Sequence, residues 1–298
     1  MPYRLGRDDT VAEGVRPVVA EQLLEAAARL RGDDPVGAVV HDARRHLKMA
    51  RATLKVVRSG PPKDVYRIEH LCYRDAGREL AAVRDARVLV DTIDGLRASA
   101  SGRVEEAAFD RVRRALRSDV VSAQRVFRRN AVREGRADTL TAASRRAAAW
   151  TIEDGGWSEL ASRLQRCYRG GVKARARARE KQSDEAFHAW RKLAKKLWHC
   201  ERLPRGAWPE LMRARAKASG ELADILGWEH DLALLRSALL ERHFVGDGQD
   251  VEALSALALQ RSRELRSHAE RVARRVYAEP ASAYVERIGV YFRQWRRC

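Results

Sequence analysis

The strongest constraint on this chain is a pattern that it carries twice. His41-x-x-Arg44-Arg45-x-x-Lys48 recurs as His188-x-x-Arg191-Lys192-x-x-Lys195, an offset of 147 residues (41 to 188). Lys55 and Arg202 match at the same offset. A second pair of segments follows, Leu80-Ala-Ala-Val-Arg84-Asp85 and Leu226-Gly-Trp-Glu-His230-Asp231, offset by 146 (85 to 231). In a chain of 298 residues, two matches at nearly one spacing imply two similar halves, 11–153 and 157–298, within a single domain over 1–298. A repeat of this length is a duplicated small bundle rather than a solenoid, and two such halves are expected to pack about a pseudo-two-fold axis.

Nearly all of the sequence reads as helix. Ala, Leu, Arg and Glu dominate, and the Val/Ile/Thr alternation that a strand requires is missing. Turn residues mark the expected ends: Gly32-Asp33-Asp34-Pro35, Ser59-Gly60-Pro61-Pro62, Ser101-Gly102 and, mid-chain, Asp154-Gly155-Gly156. They delimit helices near 15–31, 35–58, 64–98, 103–134, 137–153, 157–181, 184–203, 208–243, 250–278 and 281–297. The expected fold class is all-α.

Charge narrows the class of partner. Lys and Arg total 59 against 41 Asp and Glu, for a net +18, while 45% hydrophobic residues are enough to build a core. Such a balance favours a polyanionic partner. No stretch approaches the ~18 uninterrupted apolar residues of a membrane span, and MPYRLGRDDT holds no apolar signal-peptide region. Cys72, Cys167, Cys200 and Cys298 lie far apart with no CxxC pair, so a structural zinc site is not expected and a reducing, cytoplasmic setting is. No P-loop, nucleophile elbow, HExxH or paired acidic magnesium motif is present, and the chain reads as a binder without catalytic residues, metal or cofactor.

The repeated pattern has helical spacing. His41, Arg44, Arg45, Lys48 and Lys55 share one face, with Arg51 on its edge, while Val40, Ala43, Leu47, Leu54 and Val57 form a separate apolar stripe. His188, Arg191, Lys192, Lys195, His199 and Arg202 repeat the design, with Lys196 alongside. Like charges at i,i+4 destabilise a helix by a few tenths of a kcal/mol per pair. Asp42 is the single acid between His41 and Arg58, and none lies between His188 and His199, so an anion along the stripe would relieve the repulsion. A solvated basic face is the plain alternative; duplication of the same residues at one offset argues against it. Another basic run, Arg163, Arg166, Arg169 and Lys173, opens the second half, and Arg114, Arg117, Arg125, Arg128, Arg261, Arg271, Arg274 and Arg275 are mixed with acids. His46, His70 and His243 have no counterpart and read as incidental. His230 and Asp231 are adjacent on a helix, about 100° apart, and cannot act as base and orienter. Asp85 and Asp231 are instead expected to orient basic side chains on neighbouring helices, with Glu221 and Asp224 as similar candidates.

At these residues the chain resembles the conserved-histidine α-helical domain (CHAD) family. VHDARRHLKMARATLKVVR is similar to the family's first histidine-containing helix, and YRDAGRELAAVRDARVL to the helix that follows it; FHAWRKLAKKLWHCERL and GELADILGWEHDLALLR match the second-half segments. The resemblance runs from about Tyr3 to Cys298. It implies two four-helix bundles about an internal two-fold, a basic central channel or groove, and binding of inorganic polyphosphate without catalysis. Carried over by position, the phosphate-contacting set is His41, Arg44, Arg45, Lys48, His188, Arg191, Lys192 and Lys195, extended by Lys55, Lys196, His199 and Arg202; Arg51 on the edge of the first stripe and Arg166, Arg169 and Lys173 on one side of the second-half basic run complete the candidate site residues. Met49 stands where the second half has Lys196, so the halves should contribute unequally.

Polyphosphate carries about one negative charge per phosphate and no bases to read. A basic helix face repeats about every 5.4 Å and suits such a thread, Lys as a point charge and Arg as a two-pronged donor. An anion close to the histidines is expected to raise their pKa and strengthen binding below pH ~7. Recruitment to polyphosphate granules follows from such binding. The competing readings are a nucleic-acid-binding protein and a storage-granule surface scaffold. Against the first stand the absence of an RNP, KH or zinc-finger signature, and tryptophans (Trp150, Trp157, Trp190, Trp198, Trp208, Trp228, Trp295) at core-like spacings.

Overall fold

A computed structural model of the protein describes residues 3–58, 60–100, 102, 104–129, 132–153, 156–241 and 248–297. The expected breakers Ser59, Ser101 and Asp154-Gly155, together with His243 and Cys298, lie outside them. Among the described residues there are eleven helices and no strand. In order they are α1 (Val11–Arg31), α2 (Val36–Leu54), α3 (Lys63–Glu79), α4 (Ala81–Ala98), α5 (Glu106–Arg129), α6 (Val132–Ala148), α7 (Gly156–Lys181), α8 (Asp184–Glu201), α9 (Pro209–Glu241), α10 (Gly248–Val276) and α11 (Ala281–Arg297).

Local chemistry explains the ends. Thr10 and Glu13 form a reciprocal capping box on α1, each side chain bonding the other's backbone N–H, so α1 begins four residues before the expected start. Ser183 caps α8 by accepting from the Ala186 N–H, with Asp184 and Glu185 in the first turn where the helix dipole favours acids. The helix expected over 64–98 is two helices. They break at Leu80 (φ −82°, ψ 2°), which is fully buried and has neither glycine nor proline beside it. No local breaker signals this bend; packing imposes it, because α3 lies on α2 while α4 lies along α5 and α9.

Helices α1 and α2 pack together, α1 also against α6; α7 and α8 pack together, α7 also against α11. Contacts between the first six helices and the rest run through α2 with α8, α4 with α9 and α10, α1 with α7 and α5 with α10. One apolar cluster extends through both sets, from Leu23 and Leu47 to Trp190 and Leu226.

Buried ion pairs then fix the helices that carry the repeated pattern. Glu201, at the end of α8, accepts from Arg215 of α9 at 2.9 Å and from the Tyr284 hydroxyl of α11 at 2.7 Å, with no exposed surface of its own. Arg266 of α10 donates to Glu229 of α9 at 2.6–2.8 Å and pairs with Asp184 at the start of α8. In the first half, Arg146 of α6 donates to the buried Glu69 of α3 at 2.6 Å. Removing one partner of such a pair leaves an uncompensated buried charge.

Candidate anion-binding site

Helices α2 and α8 present their basic faces to shared space. A cavity of about 480 Å³ is lined by His41, Arg44, Arg45 and Lys48 of α2, Arg84 of α4, Arg191, Lys195, Trp198 and His199 of α8, and Asp224, Trp228 and Asp231 of α9. A second, of about 270 Å³, is lined by Lys48, Arg51 and Lys55, by Arg163 of α7, and by Arg191, Lys192, Lys195, Lys196 and His199. A third, of about 280 Å³, lies between α2 and α3 against Arg44, Lys48, Arg51, Tyr73, Arg74 and Arg78. Lys48 lines all three.

The α2 apolar stripe holds this geometry: Val40, Ala43, Leu47 and Leu54 are fully buried or nearly so, which turns the cationic edge toward the cavities. Two close approaches complete the wall. Trp228 lies against the backbone of Gly95 on α4, and Trp198 against Gly220 on α9; a Cβ on either glycine would collide with the indole. Arg44 is anchored by donating to the Gly77 carbonyl of α3. Lys195 pairs with Asp224 at 3.0 Å and sits 4.7 Å above the Trp198 ring.

The cations are poorly compensated. Burial, and then the charges of Arg44 and Arg191, push the Lys48 ammonium down to about 8. Lys55 falls to about 8 through burial and then Arg51, Lys196 and Arg163. Burial likewise lowers Arg44, Arg51 and Arg191. Buried nitrogens of Arg44 (Nε), Arg51 (Nε), Arg84 (Nη1), Arg163 (Nε and Nη2) and Arg191 (Nε) have no hydrogen-bond partner. A buried guanidinium N–H without an acceptor costs about 1–3 kcal/mol. Five arginines in this condition around connected cavities form a site that an anion with several oxygens would satisfy.

The remaining expected residues divide. His188 packs ring to ring with His230, centroids 4.0 Å apart, rather than lining these cavities. Arg202 stacks over Tyr3 and Trp198 at 4.7 and 4.9 Å. Arg166, Arg169 and Lys173 are exposed on α7 and line none of the three cavities, whereas Arg163, three residues before Arg166, enters one. Asp85 lies near Arg44 and Asp231 near Arg191, where each carboxylate favours the charged guanidinium. His46 donates or accepts at 2.8 Å with buried Gln22. Among the described residues no group of three or more His, Cys, Asp or Glu is arranged to hold a metal.

Two expectations need correction. The histidines do not start near neutrality: burial lowers His41 and His188, takes His230 to about 4 and takes His199, wedged by Tyr3 and Trp198, to about 3. His199 and His230 are neutral at pH 7, Lys48 and Lys55 are brought down to about 8, and Cys167, beside the second cavity, is brought down to about 7. The tryptophans are not all core: Trp150 and Trp190 are buried, but Trp208 and Trp228 are about half exposed, and Trp198 and Trp228 line the 480 Å³ cavity. Arg74, Arg78 and Arg84 were absent from the expected set. Arg84 sits inside the second repeated segment, so the repeat did mark it; Arg74 and Arg78 carry no such signal.

The CHAD domain family matches residues 19–240. The chain belongs to the CHAD family. A solved structure described as PptA from Streptomyces chartreusis superposes with a TM-score of 0.64 at 14% identity, over 91% of this chain and 100% of the other. The CHAD domain from the plant Ricinus communis superposes with a TM-score of 0.58 at 19% identity, over 97% and 94%. At such identities the likeness is one of fold. No curated protein matches the chain in sequence. Among the described residues, no helix of this CHAD protein is long and apolar enough to cross a membrane.

Proposed function

We propose that this CHAD protein binds inorganic polyphosphate along the connected cavities between α2, α4, α8 and α9, without transforming it. The observation that carries the reading is the set of partnerless buried guanidinium nitrogens on Arg44, Arg51, Arg84, Arg163 and Arg191, in cavities that also hold Lys48, Lys55, Lys192, Lys195 and Lys196. A phosphate chain offers acceptor oxygens at every unit and fixed charge throughout, which is what those donors lack. Family membership supports the same ligand class. The repeated helices act as two charged rails, related by an approximate dyad, with the chain lying across both.

The lining supplies positive charge, neutral imidazoles and the indoles of Trp198 and Trp228, and the two nearest acids are engaged or suppressed. Asp224 pairs with Lys195, and burial raises the pKa of Asp231. This composition suits retention of a polyanion rather than hydrolysis. Binding of this kind would recruit the protein to polyphosphate granules.

The test is calorimetric titration with polyphosphates of defined length, in the presence and absence of excess tRNA. Retained affinity under competition, a steep loss with salt, and loss of binding in Lys48→Glu/Lys195→Glu with unchanged helicity are the expected results. Displacement by tRNA at equal phosphate concentration would assign the site to nucleic acid instead.

A further inference from the structure

Two buried thiols stand beside the smaller basic cavity and take no part in lining it. Cys167 of α7 and Cys200 of α8 place their sulfurs 3.9 Å apart, with 2% and 1% of their surfaces exposed, and both are free. Their helices pack against each other, so the approach is held by the fold and not by a chance loop position. We propose that Cys167 and Cys200 are an oxidative modification site, joined by hydrogen peroxide into a disulfide that ties α7 to α8 and strengthens anion binding beside Arg163 and Lys196. Only the second half of this statement rests on the polyphosphate reading.

The geometry is within reach. A disulfide needs its sulfurs about 2.05 Å apart. From 3.9 Å the two sulfurs must approach by about 1.9 Å to bond. The chemistry is favoured on one side of the pair. The hydrogen bond between the two sulfurs, and then the positive charges of Arg163, Lys196 and Arg166, lower the Cys167 thiol to about 7 despite its burial. Cys200 is raised, as the thiol that keeps its proton. The Cys167 thiolate attacks the peroxide O–O bond; that bond breaks, Cys167 becomes a sulfenic acid, and the departing hydroxide takes a proton to leave as water. The Cys200 sulfur then attacks the sulfenic sulfur. The S–S bond forms, the S–O bond breaks, and the Cys200 proton leaves with that oxygen as a second water. Two thiols are oxidised and one peroxide is reduced.

The consequence for binding is electrostatic. In the reduced protein the nearby Arg163 and Lys196 favour ionisation of Cys167, whose negative charge in turn acts on Lys55. The disulfide is neutral. Oxidation therefore leaves those three cations to an external anion, and Arg163 already has two buried nitrogens without acceptors.

The experiment treats the full chain with hydrogen peroxide, blocks remaining thiols with N-ethylmaleimide under denaturing conditions, and maps peptides by mass spectrometry. A peptide pair linked through Cys167 and Cys200, abolished by dithiothreitol and absent from Cys200→Ala, is expected. Cys167→Ala serves as a second variant, and circular dichroism verifies that each is folded. Oxidation of partly buried Cys72 with no Cys167–Cys200 link in the folded protein would overturn the site, as would Cys167 passing on to the sulfinic acid. At pH 8 the oxidised protein should hold tripolyphosphate roughly threefold more tightly than the reduced one. An equal or weaker Kd would overturn the coupling. Failure of both forms to bind tripolyphosphate would strike the proposed function and leave the disulfide standing.

Discussion

Lys48 of α2 and Arg191 of α8 come from different halves of the chain, yet both line the same two cavities, and each repels the other's charge. Asp231 acts on both, yet burial and the surrounding cations still leave each with a lowered pKa. A folded protein that holds like charges together in this way is less stable for it, and becomes more stable when an anion arrives.

Replacing Lys48 by methionine should therefore separate stability from function. Lys48 has its folded-state pKa depressed to about 8 from the usual 10.5, by burial and by Arg44, Arg84, Arg191 and Lys195 around it. The native state then binds fewer protons than the unfolded state between those values, so stability rises with pH across that window, and the full penalty is present at pH 7. The ammonium remains open to water, which screens the effect to about 1 kcal/mol. Urea denaturation of Lys48→Met at pH 7 should show a gain of that order, with weakened polyphosphate binding in the same sample.

The pH dependence of binding follows from the same groups. An anion raises the pKa of Lys48 and Lys55 above their unliganded values of about 8, so binding takes up protons above that pH. In Cys167→Ala, which removes the thiol at about 7, affinity should be level between pH 6 and ~7.5, and with or without that thiol it should weaken as pH climbs past about 8. Calorimetry in two buffers of different ionisation enthalpy measures the uptake directly. His41→Gln/His188→Gln should leave the alkaline limb in place; its disappearance would return the pH response to the histidines.

Arg84→Ala should weaken polyphosphate binding about tenfold, the scale of one charge-assisted hydrogen bond. Arg169→Ala, altering an exposed cation on α7 outside the three cavities, should change Kd by less than about twofold at 0.15 M salt. Equal losses in the two variants would mean that overall charge, and not the cavity, holds the ligand.

Glu201→Gln tests the frame instead of the site. The carboxylate is fully buried and serves Arg215 and Tyr284 together. Its loss should cost about 3–5 kcal/mol, read as a shifted denaturation midpoint, because Arg215 stays buried without its counter-charge. With excess tripolyphosphate the variant should recover part of this through ligand linkage.

The one-dimensional order of residues carried the fold class, the repeat and most of the two cationic rails, because helical periodicity and duplication are local or near-local patterns. His41 through Lys55 and Arg191 through Lys196 could be placed on common faces from spacing alone. It did not carry the break at Leu80, where packing of α4 against α5 and α9 overrides good helix formers. Nor could it show that Arg84 and Trp228 would meet α2 and α8 around one cavity and Arg163 around another. Which charges share a cavity depends on how helices pack, and so does how far each ionisation is displaced. Burial beside other cations leaves His199 neutral and brings the Lys48 pKa down to about 8, and only the assembled helices provide that environment.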